Sequence, residues 1–244
     1  MTQTSGFLCI NKPTGKTSFE IVSQAKRMLG TKKVGHLGTI DKAGAGVLPL
    51  AVGNATKFFD YFLTKNKEYL AYFAFGFQTD TLDSYGNITT TDNKKITKEQ
   101  LQEAAKTFLG QQMQLPPQYS ALKVNGKRAA ERATQGQEVQ LKPRPITIHS
   151  FDVLNEVYPN VFLVKIGCSA GTYIRSIMRD IALKLNTCGT MVAIIRTISG
   201  AFSIQNSIIP DQISWQNVMP ISSVVSADEL NNEKLIKLLN INNE

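Results

Sequence analysis

Asp41 is the carboxylate whose surroundings most suggest chemistry. It closes the segment Val34–Asp41, which holds two glycines, and residues 42–46 add two more before an apolar run. Glycines at this density let a backbone approach another polymer closely, and an ionised carboxylate there can act as a nucleophile or as a base. A phosphate cradle or a tight turn is the alternative, although the Gly-Lys-Ser/Thr of a phosphate-binding P-loop does not follow.

An arginine and a tyrosine are candidates to work with this carboxylate. Arg175 falls in the first turn of a helix predicted to begin near Thr172, where a cation opposes the helix dipole by about 0.3–1 kcal/mol. We therefore expect Arg175 to have a partner outside its helix. Asp41 is the natural one, because an arginine–carboxylate pair keeps the acid ionised. Tyr69 begins an aromatic strand candidate and can equally be a core side chain.

Composition restricts the class of protein. The chain has 244 residues, of which 42% are apolar, and a formal charge of +8. Residues 207–244 hold five acids against two bases, so residues 1–206 carry +11. A basic body of this kind favours a polyanionic partner, with a merely soluble basic protein as the alternative. The apolar run Phe7–Ile10 is too short for a signal peptide or a membrane span, so a cytoplasmic location is expected. Three separated cysteines and two histidines argue against a disulfide framework or a metal site.

The elements that must position these residues can be predicted in part. A capping box at Thr17 opens a first helix that Gly30 ends, a second helix covers residues 97–110, and a third begins near Thr172. Helices and strands mix without a regular βαβ rhythm, which favours an α+β fold. The predicted strands are Phe7–Asn11, Tyr69–Phe77, Val161–Cys168 and Met191–Ile198. The predicted functional loops are Gly35–Gly53, Gln78–Gly86 and Gln114–Pro145.

Six blocks of residues share their order and spacing with one known family. They are Asn11-Lys12-Pro13 with Gly15 and Thr17-Ser18; Gly35-His36 through Asp41 to Pro49, with Gly53 and Ala55-Thr56-Lys57; Lys67-Glu68-Tyr69 with Thr79-Asp80-Thr81, Asp83 and Gly86; Pro116-Pro117, Tyr119 to Lys123, Gly126 and Arg128-Ala129; Cys168-Ser169 and Gly171 to Arg175; and, more weakly, Arg196-Thr197, Ser199-Gly200 and Phe202. From residue 7 to about residue 205 the chain resembles the TruB-type tRNA pseudouridine-55 synthases.

The resemblance implies a fold, a reaction and catalytic roles. The fold is a mixed, largely antiparallel central sheet with flanking helices. The reaction breaks the N1–C1′ bond of the T-loop uridine at tRNA position 55, turns the uracil and joins C5 to C1′, without metal or other cofactor. Asp41 would be the catalytic carboxylate, either as a nucleophile or as the base that forms a glycal. Tyr69 would stack on the target base and accept the C5 proton, and Arg175 would be the third catalytic residue.

The resemblance also implies how RNA is bound. His36 matches a histidine that wedges into the T loop when the target nucleotide leaves the stack, and Ile194 would be a wall of the uracil pocket. Residues 123–149 hold six bases against two acids, which suits an inserted flap over RNA phosphates, with a solvated charged face as the alternative. The expected substrate-binding residues are Lys12, His36, Tyr173, Ile194, Lys127, Arg128 and Arg132.

The match to the family departs at Lys42 and in the C-terminal segment, and also at Ala130 and Thr134 of the flap and at Ile195 and Ile198 of the sixth block. Lys42 stands where the family usually has proline, which adds a cation near RNA. Residues 1–205 are expected to form the catalytic domain and residues 206–244 a short C-terminal segment, truncated relative to a family that continues into an RNA-binding PUA module.

The expected partner is the T-stem loop of tRNA, bound by a monomer without guide RNA or membrane. Three alternatives stay open. A guide-RNA-dependent relative would normally carry the missing module, a non-catalytic tRNA-folding chaperone would need only the binding surface, and a glycosidase would need a second carboxylate.

Overall fold

The computed structural model describes residues 5–120, 122–124, 127–135 and 139–226, so residues 227–244 of the predicted C-terminal segment lie outside it. No helix in this part of the chain is long and apolar enough to cross a membrane. In chain order its strands and α-helices are β1 (Gly6–Lys12), α1 (Ser18–Leu29), β2 (Val34–His36), β3 (Ala45–Val52), α2 (Phe59–Leu63), β4 (Lys67–Phe75), β5 (Phe77–Thr79), β6 (Ile88–Thr91), α3 (Lys98–Lys106), β7 (Gly110–Gln114), β8 (Lys123–Val124), β9 (Lys127–Arg128), α4 (Ala129–Thr134), β10 (Arg144–Tyr158), β11 (Val161–Cys168), α5 (Ile174–Lys184), β12 (Gly189–Ser199), β13 (Phe202–Ser203) and β14 (Met219–Pro220).

The chain divides into two compact units, residues 1–67 with 195–244 and residues 68–194. In the first unit the strand order is β14-β1-β3-β12, with β2 also on β3 and β13 also on β12. Strand β1 runs antiparallel to β3 from the pair Gly6 and Val52 to the pair Lys12 and Gly46. The end of β12 runs parallel to β3. Strand β3 is therefore the central strand of this unit.

Helix α1 covers one face of the first unit. The Thr17 and Glu20 capping box predicted from the sequence is confirmed, and Gly30 ends the helix in the left-handed conformation with φ of 62°. Its buried face packs with strands β1 and β3 and with Ile213 and Val218, so residues after 206 also contribute to this core. Phe19 and Met28 lie off that face and are 71% and 43% exposed.

The second unit is built on the strand order β12-β4-β11-β10-β7, in which β12 contributes its first residues. Strands β10 and β11 pair antiparallel, with three register irregularities along the 15 residues of β10. Helices α3 and α5 pack on one core cluster with these strands. The predicted strand Val161–Cys168 is confirmed residue for residue.

The α+β fold class with a largely antiparallel sheet is confirmed, but four local predictions differ from the structure. The predicted loop Gly35–Gly53 contains strand β3, and the predicted loop Gln114–Pro145 contains helix α4 and a short hairpin. Strand β10 begins at Arg144, so the end of the expected flap at residues 144–149 is sheet. Helix α5 begins after Tyr173 rather than Thr172.

Candidate active site

Asp41 is exposed in the loop between β2 and β3. The residue before it, Ile40, is tied in both directions to Ser18 at the start of α1: Ser18 Oγ donates to the Ile40 carbonyl at 3.1 Å and accepts the Ile40 N–H at 3.0 Å. Ser18 and Ile40 are both buried. Because one buried hydroxyl satisfies both backbone groups, the chain entering Asp41 is held in one conformation.

The chain leaving Asp41 is held by the turn between β1 and α1. The Gly15 N–H donates to the Lys42 carbonyl at 2.8 Å, and Thr14 Oγ1 donates to the Ala43 carbonyl at 3.1 Å. The Asp41 carboxylate is thus presented from a backbone that is hydrogen-bonded on both sides. Pre-organisation of this kind is what a reacting group needs.

The Lys12 side chain stabilises the turn between β1 and α1. It is fully buried, and Nζ donates to the carbonyls of Pro13 at 2.9 Å and Lys16 at 2.6 Å. Burial lowers the pKa of Lys12 to about 8, while the nearby charge of Asp41 acts in the opposite direction. Lys12 therefore organises its own turn, and its predicted role in substrate binding stays a prediction.

Arg196 on β12 is a further anchor of the Asp41 loop, and it was not among the site residues predicted from the sequence. It is only 2% exposed. Its guanidinium donates to the carbonyls of Val47 at 2.8 Å, Thr39 at 3.1 Å and Gly38 at 3.3 Å. Gly46 makes the approach possible, since a Cβ there would lie 2.2 Å from the Arg196 carbonyl oxygen. The planar donor fork of one arginine thereby fixes Gly38 and Thr39 of the loop and Val47 of β3.

His36 lies on β2 at the start of the same loop, paired with Leu50 of β3. Burial lowers its pKa, and the positive charge of Arg196 lowers it further, against a smaller opposing effect of a backbone hydrogen bond. Its Nδ1 is buried without a hydrogen-bond partner in the described part of the chain. A neutral imidazole follows at neutral pH, and a neutral planar ring suits the stacking role that the sequence predicted.

Arg175 is a buried cation among the candidate residues of the second unit. It lies at the second position of α5, which confirms the prediction that it sits in the first turn. Its Nη1 is 3.3 Å from Asp83 Oδ2 and donates to the Thr81 carbonyl at 2.9 Å, while Nη2 donates to the Tyr119 carbonyl at 3.0 Å. The predicted pairing of Arg175 with Asp41 stays a prediction.

Asp83 organises the loop that follows strand β5. Its Oδ1 accepts the Thr81 hydroxyl at 2.7 Å and the Tyr85 N–H at 3.0 Å, and its carbonyl accepts the Thr79 hydroxyl at 2.7 Å. Gly86 closes this loop without room for a side chain, because a Cβ would lie 2.2 Å from Asp80 Oδ1. Asp83 belongs to one of the blocks shared with the family, but an aspartate at this position does not by itself predict a buried ion pair.

Three other predicted residues of the second unit lie on its sheet or immediately before α5. Tyr69 on β4 and Ile194 on β12 are partly buried and pack against the same core cluster. Tyr173 precedes α5, and its backbone pairs with the buried side-chain amide of Gln114, which accepts from Tyr173 N at 2.8 Å and donates to its carbonyl at 3.1 Å. Gln114 thereby holds the backbone of Tyr173, the N-cap residue of α5, which lies one residue later than predicted.

The expected flap is anchored at its base by another glutamine. Gln118 Nε2 donates to the Val139 carbonyl at 3.0 Å, and the Val139 N–H donates to Gln118 Oε1 at 3.1 Å. Between these residues, Lys127 and Arg128 form β9, paired with β8, and their side chains lie outside the described part. Arg132 lies on α4. Contacts of these three cations with RNA stay predictions.

Metal ligands are a separate question for any candidate active site. The described ranges contain no group of three or more His, Cys, Asp or Glu side chains placed to hold an ion.

Comparisons with known proteins agree on one family. A sequence model described as TruB family pseudouridylate synthase (N terminal domain) matches residues 26–174. The tRNA pseudouridine synthase B of Clostridium kluyveri is 44% identical over 214 residues, covering 88% of this chain and 74% of that protein. The protein of the same name from Borreliella burgdorferi (strain ATCC 35210 / DSM 4680 / CIP 102532 / B31) is 38% identical over 227 residues, covering 93% and 80%.

Two solved structures share the fold. The chain is 29% identical, with a TM-score of 0.66, to a chain in the crystal structure of a Cbf5-Nop10-Gar1 complex, and the match covers 85% of this chain and 53% of that one. It is 27% identical, with a TM-score of 0.63, to a chain of an H/ACA RNP bound to a substrate RNA containing 2′-deoxyuridine, covering 85% and 51%. The chain thus spans about half the length of these two solved chains.

Proposed function

The chain belongs to the TruB family of pseudouridylate synthases, and on that basis we propose that it converts the T-loop uridine at position 55 of tRNA to pseudouridine. The relatives that it matches over most of their length are named tRNA pseudouridine synthase B. A charge of +11 on residues 1–206 supports a polyanionic substrate. The enzyme is then an isomerase that needs no cofactor for this rearrangement.

The observation that carries the proposal is the arrangement of the Asp41 loop. An exposed carboxylate stands on a backbone that is hydrogen-bonded before it by Ser18 and after it by Gly15. In the reaction the N1–C1′ bond breaks, C5 joins C1′, the C5 proton leaves and N1 gains a proton, so the formula is unchanged. Asp41 acts on the sugar in this sequence, as a nucleophile at C1′ or as a base at C2′, and both roles need its ionised form.

Two further side chains have roles on the uracil and its surroundings. Tyr69 stacks on the base and takes the C5 proton through its hydroxyl. His36, with its lowered pKa, fills as a neutral ring the space that the target nucleotide leaves. Removal of a base from the stack costs a few kcal/mol, and stacking of the imidazole offsets part of that cost.

Arg175 supplies the positive charge of the proposed site. Asp83 and two backbone carbonyls hold its guanidinium in a fixed orientation, so little rotamer freedom is lost when a substrate binds.

The flap cations Lys127, Arg128 and Arg132 bind phosphates of the T stem, and Ile194 and Tyr173 line the uracil pocket. The enzyme acts as a monomer in the cytoplasm on tRNA directly, without a guide RNA.

The test compares Asp41→Asn with wild type on a tRNA transcript labelled with tritium at uracil C5. Wild type should release tritium from position 55 and leave pseudouridine there. Asp41→Asn should release none and bind the transcript nearly as well, because size and polarity are kept while the charge is lost. Asp60→Asn is the matched control, since Asp60 is an exposed carboxylate on α2 of the same unit. Turnover by Asp41→Asn would contradict the assignment of Asp41, and a wild-type enzyme that modified no tRNA uridine would contradict the function.

A further inference from the structure

Three exposed residues of the first unit lie on the two hydrogen-bonded segments that hold Asp41, and none of them has a role in the reaction proposed above. They are Lys16 and Phe19, on either side of the α1 N-cap, and Lys42 next to Asp41 itself. We call these three residues the Asp41 rim. Phe19 is 71% exposed, although the other apolar residues of the first turns of α1 are buried.

Hydrogen bonds bring the rim residues together. Phe19 and Asp41 each lie one residue beyond the bonded pair Ser18 and Ile40. On the other side of Asp41, Lys42 accepts from the Gly15 N–H at 2.8 Å, and Gly15 immediately precedes Lys16. The rim therefore belongs to two chain segments that are fastened together on both sides of the proposed catalytic carboxylate.

The charge of the rim depends on Lys42. Glu20 is the exposed acidic residue of the first turn of α1. It is engaged in the helix cap, where its Oε2 accepts the Thr17 N–H and hydroxyl at 2.7 Å each. Hydrogen bonds from Thr17 lower the pKa of Glu20, and the positive charges of Lys42 and Lys16 lower it further. Both lysines are therefore close enough to interact electrostatically with Glu20. Without Lys42, the acids Asp41 and Glu20 would be accompanied by one exposed lysine instead of two, and the rim would attract a phosphate less.

Proteins bind unpaired nucleotides by combining an exposed aromatic ring, which stacks on a base, with cations that contact the backbone, and these two joined segments carry one such ring and two lysines. We propose that the Asp41 rim holds a nucleotide of the substrate RNA adjacent in sequence to the reacting uridine, with its base on the Phe19 ring and its phosphate between Lys16 and Lys42. This inference rests on the proposed function, because it requires an RNA loop whose target nucleotide reaches Asp41.

The first test measures binding of a T-stem-loop RNA that already contains pseudouridine and so undergoes no net turnover. Phe19→Ala should weaken binding roughly five-fold or more, and Phe19→Tyr should bind like wild type, because stacking needs only the ring. Met28→Ala is the matched control: Met28 is an exposed apolar residue of the same helix, about 13 Å further along its axis.

The second test separates the phosphate contact from the stacking contact. Lys42→Gln should reduce the slope of log Kd against log salt by about 0.7–0.9, the value for one lost phosphate contact. Phe19→Ala should leave that slope unchanged. Lys32→Gln, which removes an exposed lysine beyond the end of α1, serves as the charge control and should change the slope less than Lys42→Gln.

The third test identifies the stacked base. T-loop RNAs are made with a single abasic site at each loop position in turn. At one position next to the target, Phe19→Ala should no longer weaken binding, because the base it stacked on is already absent. An effect of Phe19→Ala that is absent, equal to that of Met28→Ala, or the same on every abasic RNA would overturn the stacking contact.

Conversion of a uridine-containing T-stem loop by wild type is measured in parallel. If wild type converts the uridine while the rim variants bind like their controls, the rim proposal fails and the proposed function stands. If wild type converts no uridine in any tRNA, the proposed function fails, and the rim proposal fails with it.

Discussion

The Arg175 guanidinium and the Asp83 carboxylate form a buried ion pair at 3.3 Å, with side chains that are 6% and 10% exposed. The pair joins α5 to the loop after β5 and explains how a cation is tolerated in the first turn of a helix, where the dipole disfavours it. Asp83 in turn accepts from Thr81 and Tyr85. The orientation of Arg175 is therefore set by a carboxylate that is itself fixed.

Asp83→Ala should destabilise the protein and impair catalysis together. Loss of one partner of a buried pair typically costs about 3–5 kcal/mol, and we expect the low end because Arg175 keeps its bonds to two carbonyls. The free energy of unfolding is measured by urea denaturation, and kcat on the tRNA transcript.

Two variants at aspartates separate charge from hydrogen bonding. Asp83→Asn keeps an acceptor for Thr81 and Tyr85, so it should lose less stability than Asp83→Ala while kcat still falls. Asp80→Asn is the control, since Asp80 is exposed in the same loop and accepts only the Asn87 N–H among the bonds described for it. An Asp83→Asn enzyme with wild-type kcat would show that the charge of Asp83 is not needed to orient Arg175.

Arg196 should act as a positioning residue for Asp41. Arg196→Lys keeps the charge, but an ammonium group cannot reach three carbonyls as the guanidinium does. Because misplacement of a reacting group slows the chemical step, kcat should fall roughly 10- to 100-fold, with a smaller change in KM. Arg196→Gln also removes the charge. The His36 pKa should then rise in Arg196→Gln and stay low in Arg196→Lys, since Arg196 contributes to its lowering.

The His36 pKa is measured by NMR titration, and His149, the second histidine of the chain, provides the internal reference. A merely structural role for Arg196 would lower stability without this difference between the two variants. Equal His36 pKa values in wild type and Arg196→Gln would contradict the electrostatic part of the prediction.

How much of this site the sequence reveals depends on whether a signal is local. The capping box at Thr17 and the position of Arg175 in the first helical turn follow from nearest neighbours along the chain, and both predictions were correct. Strand β3 was missed because Pro49 and Gly46 weaken the strand signal, while its burial comes from β1, more than thirty residues away in sequence.

The anchors of the site were missed for the same reason. Arg196 and Asp83 are ordinary charged residues in sequence, and their roles arise from partners far along the chain. Ser18 likewise reads as part of a helix start, and only the folded chain brings its hydroxyl to Ile40. Long-range contacts of this kind leave no local pattern, so they follow from the structure alone.

The flap should make tRNA binding steeply dependent on salt. Each phosphate that a protein neutralises adds about 0.9 to the slope of log Kd against log salt on a duplex stem. Neutralisation of Lys127, Arg128 and Arg132 together should therefore lower the slope by about 2 to 3. A triple variant at Lys94, Lys95 and Lys106 removes the same charge elsewhere in the second unit, and an equal change in both triple variants would indicate a general charge effect.

Lys12 should make stability depend on pH above neutrality. Burial lowers its pKa from 10.5 to about 8, although the charges of Asp41 and Glu20 oppose this. Between pH 8 and 10.5 the unfolded chain therefore binds more protons at this side chain than the folded chain does. The free energy of unfolding must rise with pH through that window, by about 3.4 kcal/mol at most for a shift of this size. Lys12→Met removes the titrating group. It also removes the hydrogen bonds to Pro13 and Lys16, and the stability lost with those bonds is constant with pH below pH 8 and above pH 10.5.

The stability of wild type minus that of Lys12→Met, measured by urea denaturation, should thus increase from pH 8 to 10.5. The same difference for Lys106→Met, an exposed lysine on α3, should stay nearly flat. A flat difference for Lys12→Met as well would mean that the buried amine keeps its ordinary pKa.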